Sequence, residues 1–175
     1  MRYNLSETRS NLSLVDMTVL ADSILNQYLR ALEMTREAVE KVPDSRWHDG
    51  PDKWYFSLTT YHIVETIVFY LNDDPDKMVW GERAGYKWVE GIKIEDDILP
   101  RITKEMVLSY ASEVEDELRT FFSNTSDDVL LQKDGFHWFS CVLEKLQYAL
   151  RHSAHHVGEL AIILRQWNLP HVKWK

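Results

Sequence analysis

Three histidines fall within five positions in the segment Arg151-His152-Ser153-Ala154-His155-His156-Val157-Gly158-Glu159-Leu160. Neutral imidazole is a common ligand for transition metals, and it exchanges protons near neutral pH. On a helix, residues three or four apart share a face while adjacent ones point about 100° apart, so His152 can act with His155 or with His156 but hardly with both. The apolar neighbours decide which. Val142, Leu143, Leu146, Leu150, Val157, Leu160, Leu164 and Trp167 fall on one stripe with a helical period. His156 lies roughly 80° and His152 roughly 120° from the centre of that stripe, whereas His155 lies roughly 180° away and faces solvent. Imidazoles at i and i+4 can aim two nitrogens at one ion. Two ligands make a weak site, and a polar helix flank with hydrogen-bonded histidines explains the same spacing. A third ligand has to come from another element.

That element is sought in the segment from about Lys53 to Leu71, which is hydrophobic nearly all round and therefore needs cover on most sides. His62 stands in its middle, with Glu65 three positions on. A buried histidine requires a partner, either a hydrogen-bonding group or a metal. Around this segment the chain reads as further helices. From Leu14 to Val42 the positions Leu25, Tyr28, Leu29, Leu32 and Val39 recur at helical spacing, and a turn-rich loop from Pro43 to Pro51 follows. Thr103 reads as an N-cap for a helix running to Asn124 through Val107, Tyr110, Val114, Leu118 and Phe121. The last helix is expected from Trp138 to Asn168, stopped by Pro170. Pro75 to Pro100 reads as a long irregular connection, Asn124 to Gly135 as a polar turn region with a short extended piece at Val129-Leu130-Leu131, and Met1 to Ser13 as a polar stretch without sustained pattern that crosses the surface or frays.

Four long amphipathic helices and no strand-like series predict an all-α protein, a four-helix bundle, in one domain spanning 1–175. Bundles build their sites from side chains on facing helices, so His62 and the His152/His156 pair are the groups expected to meet. Three nitrogens would leave open coordination positions, as catalytic metal sites do. A net charge of −8 argues against binding a nucleic-acid backbone. The most apolar run, Ile63 to Leu71, is far shorter than the ~20 residues of a membrane span. A single cysteine, Cys141, and the lack of a basic-then-apolar leader point to a cytoplasmic protein. Cys141 has no evident activating partner.

His62, the Trp54-containing segment before it, the His152-x-x-x-His156-x-Gly-Glu segment, Trp167 and the terminal Trp174 together resemble the DinB-like family of metal-dependent four-helix bundles over nearly the whole chain. The resemblance implies an up-down-down-up bundle with a long connection between helices two and three. It also implies a divalent metal, nickel or zinc, held by His62, His152 and His156 with water completing the shell. A homodimer is implied as well, and a relationship to transferases that activate a low-molecular-weight thiol. The motif speaks to fold and metal more than to reaction.

The sequence excludes some competitors: there is no His-Glu-x-x-His of zinc proteases and no Glu-x-x-His pair of di-iron bundles, so a mononuclear site is favoured. Glu65 and Glu159, each three residues after a candidate ligand, are placed to orient an imidazole or act as a base, and Tyr148, four before His152, to donate into the site. Each also has an ordinary reading as a solvated or packing residue. Trp54, Trp80, Trp88 and Trp138 read as core and loop anchors. Two functions remain open: a metal-dependent thiol S-transferase or hydrolase acting on a small electrophile, and a non-catalytic dimeric bundle acting through partner contacts.

Overall fold

The computed structural model describes residues 17–51, 55–85 and 101–175, all helical or irregular with no strand among them. The long helices are α1 (Val19–Lys41), α2 (Phe56–Leu71), α3 (Lys104–Ser123) and α5 (Val142–Gln166), with a short α4 (Asp127–Leu130) before the last. Both α1 and α2 pack against α3 and α5, so the four long helices enclose one core. Leu25, Tyr28, Leu32 and Val39 of α1 are buried as the periodicity predicts. Tyr28 donates its hydroxyl to the Leu146 carbonyl at 2.6 Å, which removes the cost of burying that oxygen.

Local chemistry explains where the helices begin. Thr18 caps α1 by accepting from the Ala21 N–H at 3.1 Å, so the helix starts at Val19 rather than Leu14, which lies outside the described residues. Thr103 caps α3 in the same way through Met106. The N-terminus of α2 is met by backbone instead: the Phe56 and Ser57 N–H groups donate to the Asp49 and Trp47 carbonyls. Tyr55 is extended, so helical structure begins at Phe56 and not near Lys53, and residues 52–54, with Trp54, lie outside the described residues.

Two further expectations are corrected. Val129-Leu130-Leu131 is not extended. Ser126 accepts from the Val129 N–H, and Asp127 and Asp128 sit in the first turn, where carboxylates favour a helix N-terminus, so this stretch folds as α4 and buries Leu130. The last helix begins at Val142 rather than Trp138, because Glu144 reaches back to accept from the Ser140 N–H at 2.6 Å and fixes the turn that precedes it. It ends at Gln166, since Asn168 takes a left-handed φ of 57°. In the expected long connection, single turns at Pro75–Lys77 and Glu82–Ala84 are described; residues 86–100, with Trp88, lie outside.

Beyond the end of α2 the polypeptide crosses the segment that precedes α5. The Gly135 N–H donates to the Asp73 carbonyl at 2.7 Å, and a Cβ at Gly135 would lie 2.7 Å from that same oxygen, so only glycine permits the approach. This places Phe136 against Phe69 and Tyr70 of α2, with ring centroids 5.1 and 5.6 Å apart. The aromatic packing continues toward the middle of α2, where His62 lies.

Candidate metal centre

His62 is carried by α2, His152 and His156 by consecutive turns of α5, and all three are half-buried. The Nε2 atoms of His62 and His152 are 3.4 Å apart, and those of His156 and His152 are 3.2 Å apart. The rings meet edge-on, with centroids 4.5 to 5.1 Å apart. Nitrogens bonded to one ion at about 2.05 Å in tetrahedral directions are separated by roughly 3.3 Å, so the observed spacing, which also suits a hydrogen bond between rings, is compatible with one shared ion.

The protonation pattern fits a cation as well. His156 Nδ1 lies 2.6 Å from Glu159 Oε2, and a carboxylate there keeps the proton on Nδ1 and leaves the Nε2 lone pair facing the other rings. His152 Nδ1 is buried with no hydrogen-bond partner, so no tautomer of His152 satisfies both of its nitrogens within the protein. Burial, then the neighbouring His152 and His156, push the His62 pKa down to about 3. Burial, then His156, push His152 down to about 4. At neutral pH these imidazoles present lone pairs rather than charges.

The other expected residues divide. Glu159 supports His156, and its Oε1 also lies 3.2 Å from His155 Nε2; His155 itself is exposed. Tyr148 stacks on the His152 ring, centroids 6.4 Å apart and planes at 24°, and so restrains the ring by its face. Glu65 turns to a different task. Its Oε1 accepts from the Gly81 N–H at 2.6 Å and the Tyr61 hydroxyl at 3.0 Å, tying the connection after α2 back onto the helix. Gly81 there has φ +81°, a left-handed conformation suited to glycine. Cys141 sits at the N-cap of α5, about eleven residues and so roughly 16 Å of helix from His152.

The consequence of the Glu65 tie was not foreseen from sequence. Trp80, read as a loop anchor, is brought beside His62 with centroids 6.1 Å apart and is backed by Phe69 at 4.8 Å. Phe69 and Tyr70, seven and eight residues after His62, carried the signal, since those spacings return a side chain to the same helix face.

Burial raises the Glu65 pKa to about 7, against the smaller opposing effect of its two hydrogen bonds. A carboxyl raised on folding contributes stability that is complete below its unfolded value near 4.5 and is lost as pH rises through about 7. Glu65→Gln keeps an acceptor for Gly81 but cannot ionise. Its stability relative to the parent protein should therefore rise between pH 5 and 8 in urea unfolding series; a difference flat with pH would show that the carboxyl is not desolvated.

No protein-family model and no curated protein sequence matches the chain. The chain is similar in structure to a DinB-like protein from Bacillus cereus, with a TM-score of 0.60 over 87% of this chain and 95% of that one, at 17% sequence identity. The protein therefore has a DinB-like helical fold. Among the described residues, no helix is long and apolar enough to cross a membrane.

Proposed function

We propose that this chain is a single-domain, divalent-metal-dependent enzyme that conjugates a low-molecular-weight thiol to a small electrophile, with nickel or zinc held by His62, His152 and His156. The observation that carries the reading is the convergence of three imidazole nitrogens from two helices, with ligand atoms all within 4.8 Å of one another. The proposed helix order is up, down, down, up. Tyr28 on Leu146 and Arg46 over Trp167 match α1 to α5 start with start, whereas Phe56 on Trp167 and Tyr70 on Tyr148 match α2 to α5 start with end.

A bound divalent ion would supply Lewis acidity, which lowers the pKa of a coordinated thiol or water. The protein's own residues do the rest. Glu159 holds the His156 proton at Nδ1 so that Nε2 stays available, Tyr148 restrains the His152 ring, and Trp80 with Phe69 shields the His62 side from water. Cys141 is too distant along α5 to serve as nucleophile, so the sulfur belongs to a cosubstrate.

The test incubates metal-loaded protein with a panel of cellular thiols and small electrophiles and follows conjugates by mass spectrometry. Metal-dependent product that disappears in His152→Ala is the expected result. Ester or amide hydrolysis without conjugation would move the activity to metal-bound water, and no turnover in either assay would leave a binding module.

A further inference from the structure

We propose that the groove between α1 and α5 binds a monomeric aliphatic chain with a single anionic head, of the fatty-acid type. The groove has a volume of about 500 Å³ and a floor built from Met34, Leu150, Val157 and Ala161. Its α5 residues, such as Ala154, Gly158 and Ala161, lie about 180° around the helix from His152 and His156, so the site is separate from the triad. Gly158 deepens it: a Cβ added there would meet no atom within 4 Å.

Charge selects the head. The chain carries a net −8, yet the groove is lined by Arg30, Arg151, Arg165 and Lys175 and by no Asp or Glu side chain. Glu33, outside the lining, answers Arg30 at 3.1 Å and Lys175 at 2.9 Å. Neither Arg151 nor Arg165 pairs with a carboxylate among the described residues, and the Arg151 guanidinium rests over the Tyr148 ring. An apolar floor bounded by unanswered guanidinium groups matches a molecule with a hydrocarbon body and an acid end.

Length and charge favour this occupant over a second copy. From Gln147 to Arg165 the groove follows about 27 Å of helix, long enough to take an extended aliphatic chain along its floor. A second copy crossing antiparallel at Gly158 would bring Arg151, seven residues before it, against that copy's Arg165, seven after it, and like charges oppose such pairing.

Dodecanoate titrated into the full-length protein by calorimetry tests this. One molecule is expected to bind per chain, and dodecanol should bind at least tenfold more weakly. Gly158→Leu sets its Cβ in open space, adds bulk to the groove and should weaken dodecanoate at least tenfold with the helical circular dichroism unchanged. Arg151→Gln with Arg165→Gln should remove the preference for the acid over the alcohol. The proposal is overturned by absence of dodecanoate binding or by equal binding to Gly158→Leu. It is also overturned by a dimer in sedimentation that Gly158→Leu dissociates, which gives the face to a second copy. Flotation with phosphatidylglycerol vesicles without dodecanoate binding, which gives it to a membrane surface, overturns it too.

Discussion

His152→Ala is expected to reduce divalent-ion content from about one per chain to background, with affinity falling by more than the ~100-fold that loss of an outer-sphere partner can cost. The Nε2 of His152 lies within 3.4 Å of both other Nε2 atoms. Its removal leaves two nitrogens on separate helices, which is a weak site. Alanine is the best helix former, and the substitution also deletes a buried Nδ1 that has no partner, so metal loss cannot be attributed to a broken helix. The measurement is elemental analysis of untagged protein, with thermal unfolding of the metal-free forms alongside. Glu159→Gln should weaken binding by roughly 10- to 100-fold through the His156 tautomer. His155→Ala should leave metal content unchanged, because that ring is exposed and its Nε2 meets Glu159 rather than the triad. Full occupancy in His152→Ala, or loss of metal in His155→Ala with retention in His156→Ala, would remove the site.

The pairing of His152 with His156 was legible because an α-helix has one period and the apolar stripe beside it fixes which way each position points. The same stripe put His155 outside, where it is found. The meeting of α2 with α5 was legible more weakly, since a polar residue in an otherwise apolar helix demands a partner but does not name one. Glu65 shows the limit. Three residues after His62 on a helix, it was open to orienting an imidazole, to acting as a base or to an ordinary solvated role, and none of these readings contains the backbone N–H of Gly81, sixteen residues on, from which its Oε1 accepts. No helical period contains that contact, because the geometry of the intervening connection decides it. The position of Trp80 beside His62 follows from the same tie and was hidden for the same reason.

Among the helix starts, Thr103 was read as an N-cap, a pattern that sequence displays. Thr18 caps α1 in the same way, but the apolar Leu14, Val15 and Met17 before it drew the expected start back to Leu14. The start of α2 is met by carbonyls of the preceding loop, and that of α5 by the Gln132 carbonyl, which accepts from the Val142 N–H at 2.8 Å, so the apolar residues before each helix looked like part of it. Val129, Leu130 and Leu131 carry strand-like composition, yet one Ser126 cap and two aspartates suffice for a turn of helix that buries Leu130 alone.

The largest stability effect away from the histidines is expected at Asp134, a residue that periodicity passes over as part of a polar turn. Lys145 is a charged residue at a core position of α5, its side chain 2% exposed, and it forms an ion pair with Asp134, itself 11% exposed. The ammonium also donates to the Asn72 carbonyl at 2.6 Å and lies 4.5 Å from the centre of the Phe136 ring. Asp134 Oδ1 accepts from the Phe136 N–H at 3.0 Å. One buried cation thus joins the end of α2, the segment before α5 and α5 itself. Asp134→Ala leaves that cation with a carbonyl and a ring face in place of a carboxylate, and breaking one side of a buried pair costs about 3 to 5 kcal/mol. The urea midpoint should fall accordingly with the slope unchanged, and adding Lys145→Met should recover part of the loss, because the stranded charge is then gone. A loss under about 1 kcal/mol would mean that the ammonium finds water instead. The clamp also holds Phe136 on Phe69, which backs the Trp80 ring beside His62, so Asp134→Ala should weaken metal binding while keeping all three ligands. That loss should be smaller than the one in His152→Ala and should reverse in the double variant to the extent that stability does, because it acts only through the packing behind the ring.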